Sequence, residues 1–214
     1  LIETLKHRVE SKGEEKILRT AEEFREYMQF LKDNRHLYPG LDVESTGLDP
    51  IEDHVVGFGL YVPGRLPVYC PVAHTDLEGN VLPNQLTHEV VREEFQKCIN
   101  LDVKFVYHNA TFDMRFMRNS FGMLQYLLCH WDTQVAGNYL NENEKHQLKP
   151  LWDKYVSKSS DESDTFAKLF DGIRFNFVPI ELGAPYAAKD PKITHELFKF
   201  QEPFLDPTHE ICKS

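Results

Sequence analysis

"LDVESTGLDP", residues 41–50, places two acids one residue apart inside a short apolar run. In a strand, residues i and i+2 share a face, so Asp42 and Glu44 project together while Leu41 and Val43 turn the other way. At an effective dielectric of about 20, two carboxylates ~4 Å apart repel by about 4 kcal/mol. A fold accommodates that if solvent screens the pair, if the two share a proton, or if a cation sits between them. The spacing alone decides little, because Asp76 and Glu78 repeat it in the loop-like stretch "HTDLEGN".

Two further pairs give the first one weight. "HNATFD" sets Asn109 and Asp113 at i, i+4, at the start of a helix that follows a strand. "YAAKD" sets Tyr186 and Asp190 at the same spacing on a late helix. Residues four apart share a helix face. Each pair has a bland reading: Asp113 as a solvated helix acid, Tyr186 as core continued by Ile193 and Leu197, and Tyr38 to Asp42 as a chance repeat of the tyrosine spacing. The order carries the signal. Four carboxylates from three separate elements would converge, and such a cluster calls for divalent cations. Hard oxygen ligands select magnesium or manganese over zinc.

The surrounding chain supports an α/β class with a mixed β-sheet flanked by α-helices. "RTAEEFREYMQFLKDN" reads as a helix, with Thr20 and Glu23 as a capping box and Phe24, Tyr27, Met28 and Leu31 on one face. Strands are expected at Leu41–Glu44, at the unbroken apolar run Val55–Val62 and at Val103–Tyr107. "LPVYCPV" carries Pro67 and Pro71, which points to an edge strand. Helices are expected across Leu86–Ile99, in "NATFDMRFMRNSFG", in "DTQVAGNYL", in "QLKPLWDKYV" and in "YAAKDPKITHELFKF". "SKSSDESD" reads as a solvated loop. Two prolines sit awkwardly: Pro39 where the first acidic strand should begin, and Pro191 directly after Asp190 inside a helix.

Composition narrows the classes. The 214 residues suit one large domain, with residues 1–16 as a flexible lead-in, 17–205 as the folded unit and 206–214 as a tail or the start of a link to a further domain. A net charge of −10 argues against a protein that grips long duplex DNA by counterion release alone. Cys70, Cys98, Cys129 and Cys212 show no zinc spacing and read as reduced, mostly buried thiols. No apolar run approaches the ~20 residues needed to span a membrane. The chain opens on Leu1 rather than Met and reads as a piece of something longer.

The stretches "LDVESTGLDP", "VYHNATFDMRFM", "WDTQVAGNYLNENEKHQLKPLWDKYV" and "YAAKDPKITHELFKF" resemble the 3′–5′ exonuclease domain of family-A DNA polymerases. That family lies within the ribonuclease-H-like DEDD exonucleases of the tyrosine subtype. The histidine subtype needs a histidine where this chain has Pro185. The resemblance implies a two-metal-ion exonuclease acting on the 3′ end of single-stranded or frayed DNA and releasing 5′-mononucleotides. Asp42, Glu44 and Asp190 would hold one Mg2+ or Mn2+, while Asp42 and Asp113 would serve a second. Tyr186 and Glu44 would orient the attacking water. Asn109 and Phe112 would line the path of the terminal nucleotides, Thr46 and Gly47 would contact the last one, and Leu48 would wedge against its base. Leu48 as plain packing stays open beside that role. The implied partner is a DNA polymerase domain or subunit in a bacterial or phage-infected cytoplasm, with the chain itself a monomer. A ribonuclease D-type exoribonuclease, or a non-catalytic nucleic-acid-binding module on the same fold, remains the alternative.

Overall fold

The structure, a computed structural model, describes residues 15–157 and 172–205. Residues 1–14 of the expected lead-in, the "SKSSDESD" loop beyond Ser157, Cys212 and the tail 206–214 lie outside the described residues. Thr20 and Glu23 form the expected capping box at the start of helix α1 (Ala21–Asp33), which buries Phe24, Tyr27, Met28 and Leu31.

Six strands form one sheet: β1 (Lys16–Ile17), β2 (Gly40–Ser45), β3 (Val55–Tyr61), β4 (Val68–Pro71), β5 (Lys104–Tyr107) and β6 (Leu128–Asp132). Their spatial order is β1-β4-β3-β2-β5-β6. Pairing is antiparallel between β2 and β3 and between β3 and β4, and parallel elsewhere, so the sheet is mixed as expected. Two details differ from the sequence reading. "LPVYCPV" is not the edge, because Lys16 and Ile17 add a short parallel strand outside it. β6 has no counterpart among the expected strands; its "LCHWD" breaks the apolar alternation with two polar residues. Pro39 lies just outside β2, where only its carbonyl is needed, and that carbonyl accepts from the Val106 N–H at 2.9 Å.

One face of the sheet carries the main core. Leu41 and Val43 of β2 and Phe58 and Leu60 of β3 pack there against α1, α2 (His88–Asn100) and α3 (Ala110–Ser120). The other face is covered by one long helix, α6 (Ile180–Leu205). It begins six residues before the expected "YAAKD" helix and contains Pro185, Pro191 and Pro203. Two short helices, α4 (Thr133–Leu140) and α5 (Leu148–Trp152), lie alongside it. Leu148 and Leu151 of α5 join Ile193 and Leu197 of α6 in a separate apolar cluster.

α6 can approach the sheet because the strands opposite it carry glycine. Directly paired residues share a face, and the register sets Asp42 against Gly59 and Glu44 against Gly57. A Cβ at Gly59 would lie 2.3 Å from the Ala187 carbonyl oxygen and 2.9 Å from the ring of Pro191. At Gly40 it would lie 2.3 Å from the Pro191 carbonyl oxygen. Pro191 has no N–H to offer the carbonyl four residues back, Ala187. That carbonyl is the one resting against Gly59, so the proline and the glycine solve one packing problem together. Gly59→Ala should therefore cost about 2–3 kcal/mol by overpacking, read as a lower urea midpoint with an unchanged slope.

Candidate active site

β2 ends at the acidic stretch. Asp42 and Glu44 are half-buried and face α6, and Asp190 and Tyr186 project from that helix. Asp113, buried one turn into α3, reaches β2 from the other side, where its Oδ1 accepts from the Val43 N–H at 3.1 Å. The four carboxylates are close enough to feel one another. Burial, and then Asp190, pushes the Asp42 pKa well above the usual carboxylate range. Burial, Asp42 and Asp190 do the same to Glu44. Asp113 is raised by burial and by Asp42, against the opposing pull of its hydrogen bond from Val43. Asp190 is raised by burial, and Lys149 partly offsets that.

Lys149, in the first turn of α5, was not singled out from the sequence. Its ammonium lies 3.3 Å from Asp190 Oδ1 and 3.6 Å from the centroid of the Tyr186 ring. Burial opposes its charge, yet Asp190 and Tyr186 hold its pKa above the ordinary lysine value. Burial also raises the Tyr186 pKa, so its hydroxyl keeps its proton at neutral pH.

The residues expected at the substrate end are placed by short-range contacts. The Thr46 hydroxyl donates to Asp53 Oδ1 at 2.9 Å, and the Asp49 N–H donates to Asp53 Oδ2 at 3.1 Å. Gly47 backs directly onto the Asp53 carboxylate, where a Cβ would lie 2.3 Å from Oδ2. This braced turn presents Leu48 with 84% of its surface exposed. Phe112 is half-buried against Phe116, with ring centroids 4.6 Å apart. Asn109 is exposed and takes a left-handed backbone at φ 76°.

Asp132 holds Asn109 in place and is another residue the sequence reading passed over. Its Oδ1 accepts from the N–H groups of Asn109 at 3.2 Å, Gln134 at 2.9 Å and Val135 at 3.2 Å. Its Oδ2 accepts from Ala110 N–H at 2.8 Å. One carboxylate thus caps both α3 and α4, two helix N-termini that favour negative charge. The aspartate that opens the expected "DTQVAGNYL" helix was the available signal for one cap; the second needed the fold. Behind Glu44, the buried Tyr69 hydroxyl meets His74 Nε2 at 2.7 Å, and His74 Nδ1 meets the Val178 carbonyl at 2.9 Å.

No three His, Cys, Asp or Glu side chains among the described residues stand close enough, as arranged, to hold a metal ion. The donor set nonetheless fits hard divalent cations. Asp113 Oδ2 is buried and lacks a hydrogen-bond partner, while Asp190 Oδ1 in the same carboxylate cluster is met by the Lys149 ammonium at 3.3 Å. An uncompensated buried carboxylate oxygen is costly unless a cation or a proton completes it. Of the expected free thiols, Cys70 and Cys98 are buried and Cys129 is exposed. No helix among the described residues is long and apolar enough to cross a membrane.

Comparison with known proteins gives a family and a fold. Residues 16–205 match the family model described as 3′–5′ exonuclease, of the DNA polymerase A type. DNA polymerase I of Pseudomonas aeruginosa is 26% identical over 159 residues, covering 73% of this chain and 17% of that protein. The DNA polymerase of Escherichia phage T5 is 25% identical over 158 residues, covering 66% of this chain and 18% of that protein. The chain thus spans under a fifth of the length of these curated relatives. Among solved structures, the EXO domain of Aedes aegypti Nibbler superposes with a TM-score of 0.65 at 12% identity, covering 94% of each chain. At that identity the likeness shows the fold, which is ribonuclease-H-like.

Two outcomes follow from this geometry. Asp132→Ala removes two caps and should cost about 2 kcal/mol in urea denaturation, with Asp132→Asn recovering part of it. His74 is buried and its pKa is pushed down to about 4. The unfolded chain takes up that proton near pH 6.5, so the contribution of His74 to stability is complete above that pH and is lost as pH falls towards 4. The loss amounts to about 3 kcal/mol, and His74→Gln should flatten that part of a stability-against-pH curve.

Proposed function

We infer, since this chain belongs to the 3′–5′ exonuclease family of the DNA polymerase A type, that it hydrolyses the terminal phosphodiester bond at the 3′ end of single-stranded or frayed DNA. The products would be 5′-mononucleotides and the role proofreading for a polymerase. The observation that carries this reading is the gathering of Asp42, Glu44, Asp113 and Asp190 beside Tyr186, with Asp113 Oδ2 buried and without a hydrogen-bond partner.

Those four acids would hold two divalent cations, Mg2+ or Mn2+. Bound there, such ions would stabilise charge on the attacking and leaving oxygens and ease deprotonation of water. The protein's own groups do the positioning. Tyr186 keeps its proton at neutral pH, so its hydroxyl serves to orient a water together with Glu44 rather than to act as a base. Thr46 and Gly47, on the turn braced by Asp53, would meet the last nucleotide, and the exposed Leu48 would press against its base. Asn109 and Phe112 would line the path behind it.

The two polymerase relatives support DNA as substrate and a polymerase as partner. An acidic domain need not bind DNA tightly by itself, because tethering supplies a high effective concentration. A bacterial or phage-infected cytoplasm is the proposed setting, in keeping with the sources of those relatives.

The test follows an end-labelled DNA strand and an RNA strand of the same sequence, each with Mn2+ and with EDTA. Shortening of DNA from the 3′ end, stopped by EDTA and faster than for RNA, is the expected result. Faster loss of RNA would instead indicate the ribonuclease D-type reading, and a strand bound but uncut would indicate a binding module. Asp42→Ala should lower cleavage by at least about two orders of magnitude while leaving the circular dichroism spectrum and melting behaviour of a folded domain.

A further inference from the structure

The position of Lys149 is not explained by packing alone. α5 is already fixed on α6 by Leu148 and Leu151 against Ile193 and Leu197. The Lys149 stem nevertheless turns inward, leaving 20% of the side chain exposed, and sets the ammonium 3.3 Å from Asp190 Oδ1 and 3.6 Å from the Tyr186 ring centroid. The contact with Asp190 has the range of an ion pair. A compact charge on a flexible four-carbon stem has room to swing aside.

Four carboxylates facing one another need a cation or shared protons before any metal arrives, or the repulsion works against the fold. Lys149 supplies one such charge at Asp190, and its field reaches Asp42 and Glu44. A divalent ion that takes Asp190 as a ligand has to compete with it. We propose that Lys149 is a placeholder cation: without metal it occupies the cation position between Asp190 and Tyr186, keeps the acidic cluster assembled, and yields that position when a divalent ion binds. This rests on the metal-binding reading of the four acids. It separates two properties that one residue sets in opposite directions. The lysine stabilises the metal-free protein, and by competing it weakens the affinity for the ion.

The experiment uses the whole chain with Lys149→Met, which removes the charge and keeps the stem, and with Lys149→Arg, which keeps the charge. Mn2+ affinity is read by titration calorimetry, and melting temperature is read in EDTA and in Mn2+. The methionine variant is expected to melt lower than the parent in EDTA, to gain more from Mn2+, and to bind the ion at least about tenfold tighter, while the arginine variant stays near the parent. Equal or weaker Mn2+ binding by the methionine variant overturns the proposal, because a merely structural lysine lowers both melting temperatures alike. If the parent itself binds no Mn2+, the metal reading of the acids fails, and the placeholder role goes with it. A measurement on the parent keeps the test open should the methionine variant not fold: acetylation of Lys149 by an amine reagent, read by peptide mass spectrometry, should rise on adding Mg2+. Unchanged reactivity overturns the proposal.

Discussion

The functional end of this molecule depends on how closely the backbone of α6 approaches β2 and β3. Gly40 and Gly59 leave that face of the strands bare, and the Ala187 carbonyl and Pro191 lie in the space, while Gly57 makes room for the Tyr69 hydroxyl. Glycine costs a strand some stability, and its presence there marks a close backbone approach. The approach has an electrostatic consequence. Asp42 and Glu44 share their face with Gly40 and Gly59, so a helix seated on those two glycines brings Asp190 and Tyr186 directly to the acids. A larger residue at Gly59 would lift the helix and draw the fourth carboxylate away from the other three.

The same geometry sets the energetic balance. One side of β2 and β3 buries Leu41, Val43, Phe58 and Leu60 in a conventional apolar core. The other side buries like charges, which is unfavourable on its own. The two are separated by the thickness of one sheet, and the period-two alternation of β2 is what keeps them apart. Around the acids, neutral groups are arranged so as not to add to the negative charge. Tyr69 and His74 satisfy each other and the Val178 carbonyl, and burial keeps the histidine uncharged. Asp132 is spent on four backbone N–H groups, so its charge is answered by two helix ends.

Much of the fold was legible because its signals are local. The capping box at Thr20 and Glu23, the apolar face of α1 and the apolar run of β3 follow from spacing along a few residues, and each stands where it was expected. β1 and β6 escaped because two residues, or a strand with polar breaks, carry no periodic signal; pairing with a neighbour defines them. The concern over Pro191 had the same origin. Within its own helix the residue reads as a fault, and only the glycine on a strand far away in sequence shows what it packs against. At the site, the DxE, NxxxD and YxxxD spacings picked out the four acids and the tyrosine that the fold brings together. Lys149 and the double capping by Asp132 were not legible, since both depend on partners brought together by tertiary structure. Lys149 sat in plain view in "HQLKPLWDKYV", but a single lysine in a helix reads as solvated until its neighbours are known.

An acidic nuclease faces a contradiction, because its substrate is a polyanion and the chain carries −10. On the proposed reading, the contradiction is resolved locally. The negative charge that matters lies in a half-buried cluster, where it attracts cations more strongly than an exposed carboxylate would, because less solvent screens it. On that reading, a strand entering there would meet the cations held by the acids, and the net negative charge of the chain would not attract the remainder of its length. Binding is then confined to the end of a strand, and long-range attraction along the duplex is absent. A proofreading domain needs that combination. It has to engage a frayed 3′ end handed over by its tethered polymerase and release paired DNA quickly, and a strongly basic surface would defeat the second requirement.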